Sequence, residues 1–186
     1  MACLDDGACP ADQHCAAGAC VPDCQVQGCA SDLAPNGKKC STAWVIGRKA
    51  ALAGFSHSSD TTDMGNDDDL DTNKTACWDA RDDVFYRVWM QAGESLTVAV
   101  TPTDWSFDVM LKLYVGTACD GDPATLIGCT NDGWDDEKEQ TTYTATADGW
   151  ITVVVDGRMA FYDDYDFGKY TLAATLSCQA AGCCCL

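Results

Sequence analysis

Between residues 66 and 90 the sequence reads NDDDLDTNKTACWDARDDVFYRVWM, and its carboxylates are spaced for metal chemistry. Asp67, Asp69 and Asp71 occupy alternate positions, with Asp79, Asp82 and Asp83 close behind. Ca²⁺ is a hard cation that takes about six to eight oxygens, and short carboxylates on loops supply them. The opening Asp67-x-Asp69-x-Asp71 echoes an EF-hand loop, but Thr72 stands where the turn glycine belongs and Trp78 where the bidentate glutamate belongs. This is therefore not an EF-hand, and calcium would be held in another frame. The plain alternative is a solvated loop whose aspartates form turns. Two further stretches are dense in acid. Asn131 to Glu139 carries Asp132, Asp135, Asp136, Glu137 and Glu139 against Lys138, and Asp156 to Asp166 carries Asp156, Asp163, Asp164 and Asp166 against Arg158. Carboxylates this dense repel one another. A bound divalent cation removes that cost and stabilises the fold, by about 2.7 kcal/mol at a hundredfold excess over Kd.

Strands must position these loops. Val84–Met90, Ser95–Thr101, Phe107–Val115, Thr141–Thr146, Trp150–Val155 and Lys169–Leu176 are short runs with period-2 or continuous apolar character. Gly, Asp and Pro turns separate them, which predicts an antiparallel sandwich or barrel. Residues 43–56 are apolar but broken by glycines and read as one or two short strands; 57–76 read as one long loop, with His57 inside it. Trp89 and Trp150 are expected in the core, and Trp78, Trp105 and Trp134, with Tyr162 and Tyr165, as caps on the ends of the sandwich.

The chain has 14 cysteines among 186 residues, an even number that predicts an oxidising compartment and a disulfide framework. Cys3, Cys9, Cys15, Cys20, Cys24, Cys29 and Cys40 lie in a segment too poor in apolar residues to bury a core. Each bridge there is worth roughly 2–4 kcal/mol. Cys40 and Cys77 can staple the ends of the long loop, and Cys119 and Cys129 bracket a loop of their own. Cys178, Cys183, Cys184 and Cys185 close the chain; three adjacent cysteines must reach other parts of the chain or other chains. We expect a disulfide-stapled module at 1–40, a sandwich at 41–178 and a cysteine-rich tail at 179–186.

Acidic residues outnumber basic ones 29 to 11, for a formal charge of −18, which disfavours nucleic acid and anionic membrane and attracts cations. Of the acids, 26 are Asp and 3 Glu, a skew toward turns and away from helices. No segment is long and apolar enough to span a membrane. No signal peptide is evident, so export would require one removed or lying upstream. Catalytic motifs such as G-x-S-x-G, H-E-x-x-H or a P-loop do not occur, and the histidines are His14 and His57.

Residues 77–178 resemble a bacterial pre-peptidase C-terminal domain, the family of jelly-roll-like sandwiches that includes collagenase collagen-binding domains. The matching pieces are Asp82-Asp83-Val-Phe-Tyr86, Ala92-Gly93-Glu94-Ser-Leu-Thr-Val, Phe107-Asp108-Val-Met-Leu-Lys-Leu, Asn131-Asp132, Gly149-Trp-Ile-Thr-Val-Val-Val-Asp156-Gly157 and Gly168-Lys-Tyr170-Thr-Leu. The run CLDDGACPADQHCAAGACVPDC is similar to small cysteine-rich modules of secreted bacterial proteins. The resemblance implies an all-β, antiparallel jelly-roll-like β-sandwich behind a small disulfide-rich N-terminal module. It also implies calcium ligands at Asp67, Asp69 and Asp71 in the linker and at Asp79, Asp82 and Asp83 before the first long strand. The expected function is structural: a secreted, non-enzymatic protein, rigidified by calcium and disulfides, that assembles with copies of itself through head and tail into an extracellular fibre or surface matrix. The alternative is a calcium-dependent accessory module that binds a polymer or protein for a secreted enzyme system.

Overall fold

Eleven strands, one short α-helix and a 3-10 turn (Cys40–Thr42) lie among the residues that the computed structural model describes: 13–16, 19–22, 36–66, 68, 82–117, 124–131, 137–158 and 167–177. Near the N-terminus, β1 (Gln13–Ala16) and β2 (Ala19–Pro22) form an antiparallel hairpin with Cys15 opposite Cys20. The stretch 43–56 is not simply strand. It holds β3 (Trp44–Ile46), the helix α1 (Arg48–Ala53) and the start of β4 (Phe55–Asp60). RKAALA is a run of helix formers between two glycines, and Gly54 ends it in the left-handed conformation at φ 89°. The strand β4 takes in residues expected to lie in the long loop, His57 among them. There follow β5 (Val84–Met90), β6 (Ser95–Pro102), β7 (Val109–Val115), β8 (Leu126–Thr130), β9 (Glu139–Thr144), β10 (Gly149–Gly157) and β11 (Lys169–Ser177).

The strands form two packed sheets, ordered β3-β5-β10-β7-β8 and β4-β11-β6-β9. All pairs are antiparallel except β3 with β5. The fold is thus the all-β sandwich expected. Its core comes from the inner positions of both sheets, among them Val84, Tyr86, Val88, Leu111, Leu113, Val153 and Val155 facing Leu96, Val98, Val100, Leu172 and Ala174. Alternation along each strand places them there.

The outer faces differ. On the four-stranded sheet Thr97 meets Thr142 at 2.9 Å, Ser95 meets Thr144 at 2.7 Å and Ser58 meets Thr171 at 3.1 Å, a solvated ladder of hydroxyls. On the five-stranded sheet the outer positions Phe85, Met110, Lys112, Tyr114, Val154 and Asp156 are buried as well. A second small core forms there, where Ala43 and Cys40, with Leu126 of β8, pack on Phe85, Tyr114 and Val154. Trp89 and Trp150 are only partly buried and meet edge-to-face at 5.4 Å, as a cross-strand pair on this outer face and not as core.

Register also fixes the ends. The connections β4–β5, β6–β7, β8–β9 and β10–β11 all cross between sheets at one end, and their sequences hold more than half of the chain's 29 acids. At the other end lie α1 and the turns after β5 and β9. There Arg48 is wholly buried and grips Glu94 with two guanidinium nitrogens, at 2.6 and 2.5 Å, while Glu94 also accepts the backbone N–H of Gln91. A buried pair broken on one side leaves an uncompensated charge. Glu94→Ala is expected to lower the unfolding free energy by about 3–5 kcal/mol. Urea titration at fixed calcium checks this, and a loss under about 1 kcal/mol would show that solvent reaches Arg48.

Candidate functional site

On β7, VMLKLYV sets a lysine in the middle of an apolar run. Because side chains alternate, Lys112 points away from the main core, yet it has no accessible surface. Its ammonium lies 2.6 Å from Asp156 Oδ2 and 3.0 Å from Asp68 Oδ2. Tyr114, two residues on and therefore on the same face, donates its hydroxyl to Asp68 at 2.9 and 3.0 Å. Asp156 comes from the neighbouring strand β10, where its Cα partner is Met110, so Lys112 and Asp156 are diagonal on one face. Asp83, just before β5, completes the group: its Oδ2 accepts the backbone N–H of Asp68 at 2.7 Å. Asp68, Asp83, Lys112 and Asp156 are all wholly buried.

Electrostatics at this site follow from dehydration and crowding. Burial pushes the Asp83 carboxyl up to about 10, and the Asp156 carboxylate pushes the same way. Burial works against the charge on Lys112, but Asp156 and Asp68 outweigh it and hold its pKa above the usual lysine value. Burial and then Asp68 raise the Tyr114 phenol, which stays a hydrogen-bond donor. The site is thus a dry arrangement of one ammonium, several carboxyls and one phenol.

Of the acids expected to hold calcium, the structure brings Asp83 and Asp156 together, with the Lys112 ammonium against Asp156. Asp82 stands apart, accepting the N–H of Asp63 at 2.9 Å. With the Asp83 N–H bonded to Gly65 O at 2.8 Å, it closes the neck of the acidic loop. Asp67, Asp69, Asp71, Asp79, Asp132, Asp135, Asp163 and Asp166 lie outside the described residues. Among the described residues no group of three or more His, Cys, Asp or Glu is arranged to hold a metal ion. Cys40 and Cys129 are each disulfide-bonded, while Cys77 and Cys119, their expected partners, lie outside the described residues. Asp68 is the member of the site that spacing missed. The alternation of 67, 69 and 71 drew attention past it, whereas the signal was Lys112, a lone cation that needed a partner.

A second feature lies at the acidic end of the sandwich. Asp104 accepts the Lys169 N–H at 2.9 Å, and Thr103 N–H reaches Lys169 O at 2.8 Å. Phe107 is buried against Tyr170. A Cβ on Gly168 would come within 2.9 Å of Phe107 Cβ, so only glycine lets these two segments approach so closely. Between these anchors Trp105 is 84 % exposed, and Phe167 is 39 % exposed on the adjoining segment. Trp105 therefore does not cap the core. His57 lies elsewhere, on β4 under Trp44, with Nδ1 3.0 Å from the Tyr86 hydroxyl, which in turn meets Tyr170 at 2.9 Å.

The sequence matches no protein-family model and no curated protein sequence. Its fold is similar to several solved structures. The pre-peptidase C-terminal domain of a collagenase from Bacillus anthracis is 10% identical, with 67% of this chain and 89% of that one covered at a TM-score of 0.38. The K3 cleaved adhesin domain of Lys-gingipain from Porphyromonas gingivalis is 10% identical, with 66% and 90% covered at 0.36. PliG of Aeromonas hydrophila, a periplasmic inhibitor of g-type lysozyme, is 18% identical, with 67% and 84% covered at 0.38. Likeness at this level concerns the strand plan alone.

The Asp83 carboxyl has a checkable consequence. Its folded pKa of about 10 lies above the ordinary 3.8, so its contribution to stability is full below the lower value and is lost as pH rises toward the upper one. Asp83→Asn keeps the acceptor for Asp68 N–H and cannot ionise. Chemical denaturation should find the variant more stable than wild type at pH 8, with the gap closing toward pH 4. A gap that widens on acidification would mean that Asp83 is ionised in the fold.

Proposed function

We propose that the chain is an extracellular, non-catalytic binding module that presents Trp105 and its neighbouring loops to a polymer or protein surface. The observation that carries this reading is Trp105, an indole 84 % exposed on a turn tied down on both sides. An exposed aromatic on a rigid turn gives contact area at little entropic cost on binding. Phe167 on the adjoining segment adds exposed apolar surface, and Asp104 next to Trp105 carries a carboxylate. Loops carried by a rigid sandwich are where binding residues collect. Among the described residues no helix is long and apolar enough to cross a membrane.

Calcium belongs to this reading as the cation that the acids outside the buried cluster would take, namely Asp67, Asp69, Asp71, Asp79, Asp132, Asp135, Asp163 and Asp166. A covalent fibre is the less supported reading. The cysteines it would use at the tail, Cys183, Cys184 and Cys185, lie outside the described residues.

Two measurements test the proposal. In pull-down on insoluble polysaccharides and collagen, Trp105→Ala should reduce retention about tenfold, the equivalent of about 1.4 kcal/mol, with an unchanged melting temperature. Equal retention of variant and wild type on every polymer would remove Trp105 from the site. Melting with excess EDTA and then with millimolar Ca²⁺ should show a rise of several degrees with the metal, since a ligand that binds only the folded state stabilises it by mass action. Identical melts would leave the acidic loops as solvated turns.

A further inference from the structure

We propose that Lys112 and Asp156 condense to an intramolecular isopeptide bond that welds β7 to β10. The starting point is the geometry of the buried pair. Nζ of Lys112 is 2.6 Å from Asp156 Oδ2, both side chains are fully buried, and they sit diagonally on adjacent central strands. A second carboxylate, Asp68, stands 3.0 Å from the same nitrogen and is held in place by the Tyr114 hydroxyl. Phe85, Val154 and Met110 line the same outer face and keep it dry. Nucleophile, electrophile and a proton carrier are thus fixed within contact of one another, with no need to be brought together.

The chemistry balances without any co-reactant. The ammonium passes one proton to Asp156 Oδ2 along their hydrogen bond, which leaves a neutral amine beside a carboxylic acid. This exchange is uphill, because Asp156 and Asp68 favour the ammonium, while the lost hydration of both charges works toward the neutral pair. The amine lone pair attacks Asp156 Cγ. Asp68 takes a second proton from the nitrogen and delivers it to the hydroxyl of the tetrahedral centre. That oxygen leaves as water, and an amide N–H remains. Positioned intramolecular groups of this kind react with effective molarities of roughly 10⁵–10⁸ M. Condensation also removes one full positive and one full negative charge from the interior.

Choice of partner follows from position. Both oxygens of Asp68 are engaged by the Tyr114 hydroxyl, and its distance to Nζ is the longer. Asp156 is carried on a strand paired with β7 from Ile151 to Gly157, so its distance to Lys112 is set by the sheet itself.

Mass spectrometry of the full chain, with all cysteines reduced and alkylated and the protein denatured, tests the bond. The wild type should weigh one water less than its sequence. Trypsin should fail to cut after Lys112, so that residues 88–138 stay joined to 139–158. Lys112→Arg keeps the positive charge and should show the full mass. Asp156→Asn should lose ammonia in place of water and reach the same final mass as cross-linked wild type. A wild type at full mass that is cut after Lys112 overturns the proposal. So does a water loss that persists in Lys112→Arg, because Asp156-Gly157 can also dehydrate to a succinimide. A cross-link carrying residues 50–74, which contain Asp68, would overturn the assignment to Asp156.

Discussion

A full positive charge with no accessible surface, on the side of a sheet that would ordinarily face water, is the constraint around which this molecule is built. Lys112 sits in the middle of β7 and cannot reach solvent. Stranded alone, such a charge would cost several kcal/mol, so carboxylates must come to it. One is local, Asp156 on the adjacent strand. The other, Asp68, has to be delivered by the connection between β4 and β5, and this gives that connection a fixed course at its start. Its neck is closed by Asp82 on Asp63 and by Asp83 on Gly65. Asp68 is thus a counter-ion on a tether.

The same constraint explains why the two sheets are unequal. The four-stranded sheet has one dry face and one face of Ser and Thr hydroxyls, as an antiparallel sheet with one face in water should. The five-stranded sheet is dry on both sides, because residues 36–43 and Asp68 lie over its centre. The N–H of Phe85 donates to Gly37 O at 2.9 Å, which ties that cover to the first long strand. A body this rigid gives the loops at its acidic end a fixed base, and Trp105 is set there between anchored neighbours. The opposite end is closed by α1 and the Arg48–Glu94 pair.

Much of this was legible in the residues, and what was not has physical reasons. Alternation located β6 and β7, and a continuous apolar run located β10, which is buried on both faces. It failed at β4, whose FSHSSD is mostly polar and gains its strand character from pairing with β11. It failed at β8, where LIGCT is short and its pairing with β7 is interrupted by a register shift. The six-residue helix was hidden because two glycines made the region look like broken strand. Trp105 was read as a core cap on residue type alone, whereas its neighbour Phe107 fills that role. Acid spacing pointed at the loop that delivers Asp68, while Asp67, Asp69 and Asp71 lie outside the described residues. Asp68 is chosen by what lies across from it in space, which periodicity along the chain does not record.

The order of strands has a further consequence. In space, β10 and β11 are central strands, the first between β5 and β7 and the second between β4 and β6. In sequence they are the last two of the described strands. The five-stranded sheet cannot close before β10 is made nor the four-stranded sheet before β11, and β4 must wait for a partner more than a hundred residues away. Long-range pairing of this kind slows folding and leaves apolar strands exposed while the chain waits. Thiols released earlier would meet one another before the scaffold that sorts them exists. Correct pairing of Cys40 and of Cys129 is then a late event, governed by the arrival of β10 and β11 and by reshuffling of the bonds that formed too soon.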